Sequence, residues 1–176
     1  MVGVRIPARQ PATLYIPRDM TELTPAEALA AMDAHQARLR AFLERFEPGA
    51  LCTRLPGNGW SAIENVRHAL HAEQHHLGRY VPGGLGSSRF ALPQGKHSAT
   101  GPDDPRNDLK AVFDDWTSIR AAVRARLDLS LPGLEWQLPR LMRHQQQHGR
   151  AAARALSAAT GENVRLPRVH QRSTDD

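Results

Sequence analysis

The sequence predicts an all-α protein, a four-helix bundle with a long crossover between its second and third helices. Three observations carry this. Apolar residues make up 40% of the 176-residue chain and aromatics only 5%, so a core must come mostly from Leu, Ala and Val, a composition that favours helix. Four segments repeat their apolar residues at helical spacing between recognisable start and stop signals. No segment gives a usable strand pattern (Leu134-Glu135-Trp136 is too short to assign), and there is no internal repeat.

The first helix opens at Thr24-Pro25-Ala26-Glu27, an N-cap hydroxyl followed by Pro at the first position and Glu at the third. Leu29, Met32, Leu39, Leu43 and Phe46 then recur at helical spacing until Pro48-Gly49, which is expected to end the helix. The second helix opens at Ser61, where Glu64 completes a capping box, and runs to about Tyr80 before Pro82-Gly83-Gly84. The third opens at Asp104-Pro105 and sets Leu109, Val112, Trp116, Ile119, Val123 and Leu127 on one stripe. The fourth begins near Leu138 and ends at Gly161. These limits put the bundle at residues 24–161, with an irregular N-terminal extension over 1–23 and a tail over 162–176. The stretch 82–104 is rich in Gly, Ser and Pro and too long for a tight turn. It is either a crossover joining helices that run the same way, a flap over a site, or both.

The length suits one domain with a core that needs no staples. Cys52 is the only cysteine, so no intramolecular disulfide can form and a reducing compartment fits. With no basic partner in view, Cys52 is expected to be an inert small side chain. No apolar run approaches the ~18–20 residues that span a bilayer. The N-terminus, with Arg5, Pro7, Arg9 and Pro11, does not resemble a secretory signal. A cytoplasmic location with no membrane partner is the expectation. The formal charge is +5 and the pI about 10.3, and of 23 basic residues only Lys96 and Lys110 are lysine. That charge permits anion binding, but the arginines are scattered, so no nucleic-acid partner is expected.

The chemistry rests on the histidines. At about 100° per residue, His144 and His148 stand about 40° apart, one turn apart along the fourth helix. Their face also carries Leu141, Ala151, Ala152, Ala155 and Ala159, and the opposite face carries Arg143, Gln146, Gln147, Arg150 and Arg154. Both imidazoles should therefore point into the bundle. Two readings fit: a metal held by the i, i+4 pair, or core histidines bonded to water or carboxylates. His68 is less clear. The apolar stripe Ile63, Val66, Leu70, Leu77 lies nearly opposite it, and its own face carries Glu64, His71 and His75. That face is either solvated or lines a polar cavity. His35, between Met32 and Leu39, reads as a satisfied core histidine; His97 falls in the long loop; His76 and His170 have no informative context.

Trp60-Ser61-x-x-Glu64-x-x-x-His68, followed much later by His144-x-x-x-His148 on the last helix, resembles the DinB (YfiT-like) family of metal-dependent enzymes over residues 24–160. The resemblance implies a four-helix bundle of up-down-down-up connectivity, which agrees with the long stretch between the second and third helices. It implies His68, His144 and His148 as the three metal ligands, and so an inward His68. It also implies homodimerisation. Relatives with known activity include S-transferases and isomerases that use low-molecular-weight thiols such as mycothiol or bacillithiol. His144-Gln-Gln-Gln-His148 is similar to a segment of the ergothioneine-forming sulfoxide synthases, but no counterpart of their second domain is seen, so that activity is not expected.

Three imidazoles with no sulfur or carboxylate suit zinc, nickel or iron and leave a coordination position open for water or substrate. Glu64, His71 and His35 are the candidates to stand behind the ligands, Glu64 being equally the capping partner of Ser61. No general base is identifiable, so no catalytic residue is assigned. The leading expectation is a thiol-dependent S-transferase acting on a small-molecule substrate. A metal-dependent hydrolase and a non-catalytic bundle that binds a metal or small ligand are the alternatives.

Overall fold

Two capping boxes start two of the long helices, one of which carries His68. In the computed structural model, which describes residues 23–57, 59–97 and 101–167, Thr24 and Ser61 each accept the backbone N–H three residues on, while Glu27 and Glu64 reach back to the cap N–H. Each box satisfies two of the backbone donors that a helix start leaves without partners. The helices that follow are α1 (Pro25–Leu43) and α3 (Ala62–Gly78); the others are α2 (Pro48–Cys52), α4 (Leu109–Arg126) and α5 (Leu134–Thr160). No strand occurs among the described residues, so the all-α class holds. Residues 1–22 and 168–176, which take in nearly all of the expected N-terminal extension (1–23) and most of the expected tail (162–176), lie outside the described residues.

The helix boundaries depart from the sequence reading in three places. The first helix stops at Leu43, and Pro48-Gly49 begins the short α2 instead of ending α1. Proline at the first position of a helix loses an N–H that would have had no partner. Asp104-Pro105 opens only a single 3₁₀ turn, Pro105–Asn107; the helix proper starts at Leu109, capped by the Asp108 carboxylate on the Ala111 N–H. The last helix begins at Leu134, four residues before the expected Leu138, and carries Pro139 inside it. Its far end is as expected, with Gly161 left-handed at φ 72° after Thr160.

α5 is the central element and packs on both α1 and α3. The apolar core falls into two clusters. One includes Leu39, Phe42, Ile63, Val66, Phe113 and Leu156; the other includes Leu29, Met32, Leu77, Val123, Leu138 and Met142. Between them each long helix contributes polar residues: His35 and Gln36 from α1, Glu73 from α3, Arg120 from α4, His144, Gln145 and His148 from α5. A polar belt thus crosses an otherwise apolar bundle.

α3 is unusual in that every residue from Ser61 to Leu70 is buried. Helices cover part of it, and the stretch 82–104 covers more. Arg67 Nε donates to the Phe90 carbonyl at 2.8 Å and Arg67 Nη1 to Asn107 Oδ1 at 2.7 Å. The Leu92 N–H donates to the Arg67 carbonyl, Trp60 Nε1 to the Lys96 carbonyl and Gln74 Nε2 to the Gly86 carbonyl. The long stretch is therefore laid along α3 over most of its length.

Candidate metal centre

The belt brings His68 of α3 against His144 and His148 of α5. Their ring centroids are 4.5 Å (His144–His148), 4.7 Å (His68–His148) and 5.2 Å (His68–His144) apart. One ring nitrogen from each lies within 4.8 Å of the other two. His68 is buried and the α5 pair is half-buried, so the cluster sits at the edge of the bundle.

Two of the three rings are held from behind. His68 Nδ1 lies 2.9 Å from the Leu92 carbonyl, an acceptor only, so Nδ1 carries the proton and Nε2 keeps its lone pair. His148 Nδ1 lies 2.9 Å from Asn65 Oδ1. Asn65 Nδ2 donates to the Ser61 carbonyl at 2.9 Å, which turns its amide oxygen toward His148. His148 therefore also donates through Nδ1 and keeps a lone pair on Nε2. Histidines that ligate metals are oriented in this way by an outward hydrogen bond. His144 Nδ1 is buried and has no hydrogen-bond partner among the described residues. Leaving such a nitrogen without a partner costs about 1–3 kcal/mol.

Electrostatics keep the cluster neutral. Burial pushes the imidazole of His144 from 6.5 down to about 4, helped by the nearby His68, and pushes His148 down to about 3, helped by His144. Burial lowers His68 as well, against the opposing effect of its bond to Leu92. Trp60 packs its indole 4.7 Å from the His68 ring and 5.7 Å from His148, centroid to centroid, walling one side. Three neutral imidazoles, two preset with free lone pairs and one with an unsatisfied buried nitrogen, are a donor set that fits a borderline first-row ion.

Glu64 closes the capping box of Ser61 and pairs with Arg54, whose Nη2 donates to Oε1 at 2.7 Å. His97 Nδ1 stands 4.0 Å from the same carboxylate. His71 lies beside His68 at 6.2 Å between centroids. His35 turns to α5, where its Nε2–H donates to the Gln145 carbonyl at 3.1 Å, and burial pushes it down to about 4. Its ring fills the space a side chain would need at Gly149: a Cβ there would stand 3.1 Å from His35 Cε1. The Cys52 thiol is half-buried and pushed up by burial, as suits an inert side chain. His170 lies outside the described residues.

Sequence reasoning missed the groups that orient the ligands. Asn65 sits one turn from Ser61 and one turn before His68, a spacing that could have been noticed. The Leu92 carbonyl is backbone and carries no residue-type signal. Gln145 was also missed: it is fully buried next to His144 and donates Nε2 to Glu73 at 2.7 Å.

No described helix is long and apolar enough to cross a membrane. Neither curated proteins nor solved structures give a match to the chain. A protein-family comparison matches residues 31–165, most of the chain and all three clustered histidines, to the DinB superfamily, and the chain belongs to that superfamily.

Proposed function

We propose that the chain is a metal-dependent enzyme in which His68, His144 and His148 hold a divalent first-row ion, zinc, nickel or iron, and that it joins a low-molecular-weight thiol to a small electrophilic substrate. The observation that carries this reading is the convergence of three neutral imidazoles, two of them with Nδ1–H tied outward to Leu92 and Asn65. Such an ion, when bound, lowers the pKa of a coordinated water or thiol toward neutrality and supplies a nucleophile. The chain's own part is to hold the lone pairs in place, to wall off one side with Trp60, and to leave a coordination position open, as three protein ligands do. The absence of sulfur and carboxylate from the donor set keeps the centre a borderline one.

The same reading carries finer expectations: up-down-down-up connectivity, a bundle over residues 24–161 flanked by extensions, a cytoplasmic location and a homodimer. The test begins with elemental analysis of untagged protein purified without added metal, beside His144→Ala and His148→Ala. About one equivalent of a transition metal, lost in both variants while the helical circular dichroism persists, supports the centre. Full occupancy in either variant sinks it. Turnover of an electrophile only when a thiol is present supports the transferase. Metal-dependent turnover without thiol points to a hydrolase using the same ligands, and ligand-induced stabilisation without turnover points to a binding module.

A further inference from the structure

Three imidazoles of α3 run outward from the triad on one face of the helix. His68 is followed by His71 and His75, with centroids 6.2 Å apart and then 5.8 Å apart. The His71 and His75 rings are nearly parallel, inclined by 18°. His71 is partly buried and His75 exposed, so the row leads from the centre to solvent. Neither ring makes a hydrogen bond with another described residue, which leaves their lone pairs free. At i, i+4 the two side chains stand on one face a single turn apart, the spacing by which a helix chelates a first-row ion with two imidazoles. His76, whose ring centroid stands 5.2 Å from that of His75, is adjacent in sequence and so points off this face, and burial, His75, Arg79 and Arg140 all disfavour its charged form.

We infer that His71 and His75 form a second, solvent-facing site for a divalent first-row ion, and that the triad is filled from it. With two protein ligands and water completing the coordination, this site binds more weakly than a three-histidine centre and exchanges faster. His71 lies between His75 and His68, so an ion can pass inward by replacing one imidazole at a time without returning to bulk water. The filling role rests on the triad being a metal centre; the second site does not.

The test uses the full chain, stripped with a chelator and titrated with zinc by equilibrium dialysis, beside His71→Ala/His75→Ala and His144→Ala/His148→Ala. Wild type should take up two classes of ion, one tight and one weak. The first variant should lose only the weak class and the second only the tight one. If the first variant binds as wild type does while the second loses an ion, the second site is wrong and the triad reading stands. If wild type holds only an ion that the first variant loses and the second keeps, the second site stands and the triad reading falls. The rate at which the tight class fills, followed with a competing zinc indicator, should drop several-fold in His71→Ala/His75→Ala; an unchanged rate overturns the filling role.

Discussion

Two polar clusters lie side by side in the belt that crosses the bundle, and they use their polar groups differently. His144 and Gln145 are neighbours on α5, yet one enters the triad and the other enters a knot around Glu73. Glu73 is fully buried and its oxygens accept from Trp116 Nε1 at 2.7 Å, Gln145 Nε2 at 2.7 Å, and Arg120 Nε and Nη2 at 2.5 Å each. Arg120 Nη1 continues to Asp33, which also takes Arg124. Only Gln145 Oε1 is left in the knot without a partner among the described residues. The triad has the opposite character: no counter-charge among its members, outward bonds that use up the N–H groups of His68 and His148, and ring nitrogens left converging. A buried charge must be met inside the protein because no water is there to solvate it. A cluster of neutral bases can instead leave its lone pairs for something from outside. The knot is a structural device and the triad a receptive one.

Breaking the knot should have the largest effect. Arg120→Ala leaves the Glu73 carboxylate buried without its cation and should destabilise the fold by about 3–5 kcal/mol, read as a shift in the urea midpoint. A change below about 1 kcal/mol would mean that the remaining partners or entering water replace the cation, and the contrast between the clusters would be lost.

The next prediction tests how far burial holds the belt's imidazoles neutral. His35 is 3% exposed and falls from 6.5 to about 4 on folding. Because its folded pKa is depressed, the unfolded chain takes up the proton first; the stability is complete above pH 6.5 and is lost as pH falls toward 4. That loss should reach about 2 kcal/mol by pH 5 from this residue alone. Denaturation midpoints at pH 7.5 and pH 5 should therefore converge in His35→Gln relative to wild type. An equal acid sensitivity in the two proteins would remove His35 from the account. The triad imidazoles shift in the same direction, so in metal-free protein they should add to this acid sensitivity.

The smallest effect sharpens the comparison from the receptive side. Asn65→Ala removes the acceptor behind His148 without removing a ligand. Zinc affinity should fall about 10- to 100-fold with the stoichiometry kept. Loss of the ion altogether would make Asn65 a part of the fold of α3, and unchanged affinity would leave His148 oriented by packing alone.

The helix starts at Thr24 and Ser61, the stop at Gly161, the apolar stripe of α4 and the His144–His148 pair were all legible in the sequence. Each depends on residues within about one helical turn of one another, where backbone geometry leaves few alternatives. The errors were local signals with two meanings: Pro48 opens a helix as readily as it closes one, Asp104-Pro105 opens a 3₁₀ turn as readily as an α-helix, and Pro139 stands inside α5, which begins five residues earlier. His68 could not be oriented from its helix because the polar face it shares with Glu64, His71 and His75 reads alike as solvated or as lining a cavity, and only the fold shows the segment from Ser61 to Leu70 to be buried throughout. Part of what buries that segment is the stretch around Phe90 and Leu92, more than twenty residues away. The partners that separate knot from triad, Glu73 with Arg120 and Gln145, Asn65 with His148, and His35 with the Gln145 carbonyl, lie 47 to 110 residues apart. By itself the sequence determined an all-helical chain with paired imidazoles on its last helix, because hydrogen bonding and side-chain periodicity act over a turn. Only the tertiary structure decided which buried polar groups would satisfy one another and which would be left facing a common point, because that depends on which helix faces meet.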